Sequence, residues 1–184
     1  MTVDFGFVPA LMIGSTVFYD VDNDGAQDLS DPREDGIAGV TVNLYYDGNN
    51  DGDLNDAGEN TPIATTVTSA DGNYLFTMLS PGNYIVGIPN GSIPADAPVS
   101  STGQNTTDNV DGVDDGAPGA GAFAGLIVSP IVNLAPGAEV SNETFPGGQQ
   151  DDASDANGNM TVDFGFVPNM SIGSTVFYDR DDNG

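Results

Sequence analysis

Cysteine, histidine, lysine and tryptophan are all absent from this chain. Without cysteine there are no disulfides and no thiol chemistry. Without His, Cys or Lys, the common nucleophile–base pairs of enzymes cannot be assembled. Two carboxylates alone can hydrolyse a glycoside, but any pair among 28 acids can be nominated, and no tryptophan is there to stack on a sugar. The chain therefore reads as a non-enzyme.

Positive charge is almost missing as well. Arg33 and Arg180 are the only cations, and the net charge is −26. Nothing can neutralise a run of phosphates, which excludes nucleic acid as a partner. Anionic membrane surfaces should repel the chain, and no apolar run reaches the ~20 residues of a membrane span. No basic segment marks Met1-Thr2-Val3-Asp4 as a secretory leader.

What is present is aspartate, 24 residues against 4 glutamates. Glutamate favours helices, whereas aspartate favours turns and metal loops. The aspartates are also in register. Asp20, Asp22 and Asp24 alternate, Gly25 follows directly, Asp28 stands at the ninth position and Asp31 at the twelfth. This is the spacing of an EF-hand type calcium loop: alternating oxygens converge on a hard cation, the glycine permits the sharp turn, and the seventh residue, Ala26, offers its carbonyl. The closing acid is either Asp31 or Glu34.

A variant follows with Asp47, Asn49, Asp51, Asp53 and Asn55, closed by Asp56 or Glu59. The pattern restarts at Asp179, Asp181 and Asn183. Two further clusters, Asp108, Asp111, Asp114 with Asp115, and Asp151, Asp152, Asp155, Asn157 with Asn159, are candidates for binding calcium with each other or with Asp71. Solvated acidic loops would look similar. Calcium is favoured over magnesium, which demands near-ideal octahedral geometry. Without cations, the self-repulsion of so many acids should destabilise the compact state.

The restart belongs to a longer repeat. Residues 1–25 recur as 160–184 with nineteen of the twenty-five positions identical. The spacing suits a whole domain and is too long for a solenoid unit. The expected organisation is one unit of a tandem array: residues 1–9 the last strand of a preceding repeat, 10–168 a complete repeat, and 169–184 the start of the next. On this reading Met1 is an internal methionine.

Strand patterns recur throughout, and no stretch has a helical period. Strands are expected over 2–8, 12–19, 37–46, 63–69, 73–78, 84–88 and 161–167, with 126–134 a strand interrupted by Pro130 and hence an edge or bulged one. Val40, Val42 and Leu44 share one face of the third of these, and the first two acidic loops lie at its opposite ends. Residues 89–124 and 135–159 read as long polar loops. Short strands with turn signals between them predict an all-β sandwich. Five glycosylation sequons, at Asn90, Asn105, Asn142, Asn159 and Asn169, are a short motif with little weight.

Several stretches, in order, resemble the SdrD B-like domain, a relative of the Cna B-type domains of bacterial surface proteins. They are Ile13-Gly14-Ser15-Thr16-Val17-Phe18-Tyr19-Asp20, the loop to Asp28, Gly36-Ile37-Ala38-Gly39-Val40-Thr41-Val42-Asn43-Leu44-Tyr45, Thr68-Ser69-Ala70-Asp71-Gly72-Asn73-Tyr74-Leu75-Phe76, Leu79-Ser80-Pro81-Gly82-Asn83-Tyr84 and Asp163-Phe164-Gly165-Phe166. The resemblance implies a Greek-key, immunoglobulin-like β-sandwich with long loop insertions and several calcium ions. It also implies an extracellular spacer between an adhesive head and a cell-wall anchor, whose partners are neighbouring copies of the same repeat. The family's closing Glu comes three residues after the ninth-position Asp and shortly before Gly-Ile. Here Asp31 keeps the spacing and Glu34 keeps the neighbourhood. The Lys–Asn cross-link of some Cna B-type domains is impossible without lysine.

The leading expectation is a calcium-rigidified structural repeat of an extracellular stalk or filament. The alternative is an adhesin that binds a protein or glycan ligand through the insertion 89–159. A dockerin-like module also pairs Asp/Asn-rich loops, but each of its loops precedes a helix, whereas strand patterns follow here.

Overall fold

The computed structural model describes residues 10–102, 110–140, 157–174, 178 and 180. The expected strand over 2–8 lies outside the described residues. The first strand, β1 (Leu11–Tyr19), is bordered on one edge by β4 (Asn73–Leu79), antiparallel, and on the other by the closing segment of the repeat, parallel. That segment makes two contacts with β1. Residues of β10 (Gly158–Asn159) pair with Met12 and Ile13, and those of β11 (Phe164–Val167) pair with Val17 to Tyr19. The short β6 (Val99–Ser100) is antiparallel to β11.

The second sheet is built around β2 (Thr41–Asp47) and β5 (Gly82–Pro89). The Thr-rich β3 (Ala64–Val67) forms its edge beside β2. On the far side of β5 lie β8 (Leu126–Val128) and β9 (Val132–Leu134), with β7 (Ala117–Pro118) on β8. The interrupted strand expected over 126–134 is two short strands around a bulge. The register on β5 shifts by one residue between Gly87↔Val128 and Tyr84↔Val132. Pro130, which has no N–H to give a ladder, falls in the bulge. There the hydroxyl of Ser129 accepts the Val86 N–H at 3.0 Å, and the Ser129 N–H returns a bond to the Val86 carbonyl at 2.9 Å.

One apolar core fills the space between the sheets. Leu11, Ile13 and Val17 of β1 and Phe164 and Phe166 of β11 meet Val42 and Leu44 of β2 and Val86 and Ile88 of β5, all fully buried. The alternation read at Val40, Val42 and Leu44 is realised, since successive side chains of a strand point to opposite faces. The fold is an all-β sandwich. Its parallel first and last strands have a consequence for connectivity: the chain enters at the Leu11 end of the sandwich and leaves at the Tyr19 end, beside Val167.

Candidate metal centres

The first acidic loop leaves the end of β1 and the second leaves the end of β2. They share one backbone device. Asn23 has φ 59° and Gly25 has φ 84°; at the matching places Asn50 has φ 60° and Gly52 has φ 82°. Asparagine and glycine are the residues that best tolerate this left-handed region. The turn folds the loop back over its first aspartate.

That aspartate is buried in both loops, with Asp20 0% and Asp47 1% exposed. Asp20 accepts the N–H groups of Asp24 at 3.2 Å and Gly25 at 2.9 Å. Asp47 accepts those of Asn50 at 2.7 Å, Asp51 at 3.3 Å and Gly52 at 3.1 Å. The closing acid is also placed alike. Glu34 accepts the Val21 N–H at 3.0 Å and the Asp28 N–H at 2.7 Å. Glu59 accepts the Gly48 N–H at 2.8 Å.

Carboxylate oxygens of Asp20, Asp22 and Glu34 lie within 4.8 Å of one another, as do those of Asp47, Asp51 and Glu59. Like charges at that spacing oppose burial unless a cation lies among them. In the second loop Glu59 is 8% exposed, yet its Oε2 is buried without a hydrogen-bond partner among the described residues. A buried acceptor of this kind fits a hard cation, which takes oxygen ligands.

The remaining loop residues have identifiable places. Asp24 accepts the Ala26 N–H at 2.9 Å. The Gly25 carbonyl and Gln27 N–H bond to residues 112–114, so the alternation of an antiparallel ladder leaves the Ala26 carbonyl on the opposite, Asp24 side. Asp28 caps the turn at Ser30, whose hydroxyl and N–H hold its carboxyl below the usual range. Asp31 binds the Arg33 guanidinium instead of joining the cluster, and the arginine lowers its pKa. Of the two candidate closing acids, it is Glu34 that the fold brings to Asp20 and Asp22. In the second loop Asn49 bonds both Asp51 and Asp56, Asp51 accepts the Asp53 N–H at 3.2 Å, and Asp53 accepts the Asn55 N–H at 2.7 Å. Leu54 turns inward and packs with Tyr45 and Ile85 on the outer face of the second sheet.

The insertion is more structured than a polar loop. Residues 112–114 pair with residues 25–27, and Asp114 and Asp163 form a parallel bridge. Asp114, 0% exposed, accepts the N–H groups of Gly116 and Gly165, both at 2.9 Å, and its Oδ2 is buried without a partner among the described residues. Burial pushes its pKa to about 7, with the charge of Asp20 adding to the rise. Asp163, also 0% exposed, is pushed to about 7 by burial and by the charge of Asp111, against the lowering effect of its hydrogen bond from Ser15. Asp115 accepts the Asp163 N–H at 3.0 Å.

Asp115 belongs to one of the acidic clusters marked in the sequence, whereas Asp163 was not singled out by spacing. One available signal was an acid inside an otherwise apolar strand, in a segment repeated identically at Asp4. Asn157 stands apart from this group, at the other end of β1, where its carbonyl accepts the Met12 N–H and its Oδ1 the Gly137 N–H. Asp108, Asp151, Asp152, Asp155, Asp179, Asp181 and Asn183 lie outside the described residues. Asp71 lines a cleft beside the first loop with Asp31, Glu34 and Asp35.

The SdrD B-like domain matches residues 11–126. Serine-aspartate repeat-containing protein F of Staphylococcus epidermidis is 32% identical over 96% of this chain, and serine-aspartate repeat-containing protein D of Staphylococcus aureus (strain Newman) is 34% identical over 82%. Colossin-B of Dictyostelium discoideum is 28% identical over the whole chain. The chain spans only 10%, 11% and 5% of those three proteins, respectively. Among solved structures, the full-length major pilin SpaD of Corynebacterium diphtheriae covers 90% of this chain and 34% of its own at 15% identity, with a TM-score of 0.37. The chain belongs to the SdrD B-like domain family.

Proposed function

We propose that residues 10–168 are one calcium-rigidified repeat of an extracellular stalk or filament. Residues 1–9 supply the last strand of a preceding repeat, and residues 169–184 begin the next. Calcium is held by Asp20, Asp22, Asp24, the Ala26 carbonyl and Glu34 in the first loop. In the second it is held by Asp47, Asn49, Asp51, the Asp53 carbonyl and Glu59. The observation that carries this reading is the matched pair of loops, each with a buried first aspartate and a buried closing glutamate whose oxygens converge.

The mechanism is electrostatic. Without cations the clustered carboxylates repel one another, and with them the loops become a fixed cage. Binding energy then appears as folding energy. The parallel first and last strands favour a linear array, because entry and exit lie at opposite ends.

The test is thermal unfolding of the chain in millimolar calcium, in millimolar magnesium and in chelator. A large rise in melting temperature with calcium, and a small one with magnesium, is the expected result. An unchanged melt would overturn the reading and leave the loops as solvated surface.

A further inference from the structure

The two ends of the sandwich differ in a complementary way. At the exit end, beyond β5 and β6, Ile93, Pro94, Pro98, Val99, Pro118 and Ile127 form the apolar side of a groove that Asn90 and Ser100 complete. Val99 is 57% exposed there and is paired with Val167, the last residue of β11. The chain leaving β11 is tied to the rim of this groove. Asn169 donates its N–H to the Asp96 carbonyl at 2.6 Å and its side-chain amide to the Ala95 carbonyl at 3.0 Å. Tyr19 donates its hydroxyl to Asp96 at 3.1 Å, so the same turn is held from β1.

At the entry end, Met78 projects from the last two residues of β4. It is 84% exposed and has φ 60°, an unusual value for a residue that is neither glycine nor asparagine. Its neighbour Leu79 pairs with Leu11, the first residue of β1.

The repeat brings these ends together. Met170 occupies the place of Leu11 in the recurring segment, three residues after Val167. Three residues span at most about 11 Å. The entry end of a following repeat must therefore face the exit end of this one. The side chains nearest the linker are not free to fill the groove. Leu11 and Ile13, the counterparts of Met170 and Ile172, are 0% exposed, spent on their own core. Met78 is far more exposed than the other apolar side chains beside this end, Tyr46 at 39% and Ile131 at 37%, and it is flexible enough to fit an irregular groove.

We infer that Met78 of each repeat seats in the Ile93–Pro98–Val99 groove of the repeat before it, making a head-to-tail contact clamped by Asn169. This rests on the tandem-array reading above and adds to it the surface through which repeats dock. Such an interface is heterologous and open-ended, as a linear array requires. It also sets the first acidic loop of one repeat beside the second acidic loop of the next, since Tyr19 leads into the first at the exit end and Asp47 pairs with Asn83 at the entry end.

The absence of cysteine makes the test clean. A two-repeat chain is made from residues 1–178 followed by residues 20–184, with Val99→Cys in the first repeat and Met78→Cys in the second. Under mild oxidation in calcium, an intramolecular disulfide should form at least about tenfold faster than in a control that carries Val67→Cys in the second repeat instead. Val67 is 55% exposed but sits on the edge strand β3. A second arm measures inter-repeat orientation by residual dipolar couplings, where Asn169→Ala and Met78→Ser should each loosen it. Equal cross-linking rates, or unchanged couplings in both variants, would overturn the contact. Calcium-dependent melting would survive that outcome, so failure of the junction is distinguishable from failure of the calcium repeat.

Discussion

The carboxylate of Asp163 accepts the hydroxyl of Ser15 at 2.6 Å, across 148 positions of sequence. The same carboxylate accepts the Thr16 N–H at 3.1 Å and the Gly112 N–H at 2.8 Å. One buried side chain therefore joins the first strand, the insertion and the closing strand. Asp163→Ala leaves two buried donors and one half-buried donor without their acceptor, each buried one costing about 1–3 kcal/mol. The expected loss exceeds about 3 kcal/mol in denaturant unfolding. Asp163→Asn should be milder at Ser15 but still unfavourable, because its NH2 would face a donor at either Gly112 or Thr16.

Glu34 and Asp31 are separated by the same logic. Glu34→Gln should weaken calcium at the first loop by at least about tenfold, or ~1.4 kcal/mol. Asp31→Asn should change it by less than about threefold, because Asp31 is engaged with Arg33. Calorimetric titration of both variants checks this, with the second loop serving as an internal reference.

The pH dependence of the cation-free protein follows from Asp114 and Asp163, both pushed up to about 7. The folded state holds protons here that the unfolded chain has lost above its ordinary value near 3.8. The stabilisation is therefore complete below about pH 4 and lost as pH rises through about 7. In chelator, the melting temperature should fall between pH 5 and pH 8. Asp163→Asn should flatten that slope.

Gly36 and Gly72 interlock beside the first loop. A Cβ on Gly36 would stand 2.0 Å from the Asp71 carbonyl oxygen, and one on Gly72 would stand 2.4 Å from that of Val17, at a φ of 79°. Gly39 has the same φ but open space around it. Gly39→Ala should cost about 1 kcal/mol. Gly36→Ala and Gly72→Ala should each cost more than twice that and lower calcium affinity at the first loop. Unfolding and titration of the three variants rank them.

The sequence by itself determined the local chemistry. Alternating Val40, Val42 and Leu44 made a half-buried strand, Asn23 and Gly25 made a left-handed turn, and aspartates two residues apart made a loop suited to a hard cation. These are short-range facts, set by steric preference and side-chain period. The same short range marked Glu34 and Asp31 as equals, since both lie near the end of the loop. Tertiary structure decided between them, because the arginine two residues from Asp31 takes its carboxylate while the fold carries Glu34 back to the start of the loop.

Other outcomes also depended on distant partners. Residues 111–116 read as part of a polar loop, yet Asp114 and Asp115 are buried, because the segment finds a ladder in residues 25–27 and acceptors and donors in the closing strand. Pro130 marked a break within one strand, but only pairing with β5 on both sides showed two strands around a bulge. The parallel pairing of the first and last strands, which sets entry and exit at opposite ends, joins residues about 146 positions apart. Sequence period fixes which face a side chain takes. Which surface that face meets is settled only when non-local strands pair, because the free energy of burial and of hydrogen bonding belongs to the pair.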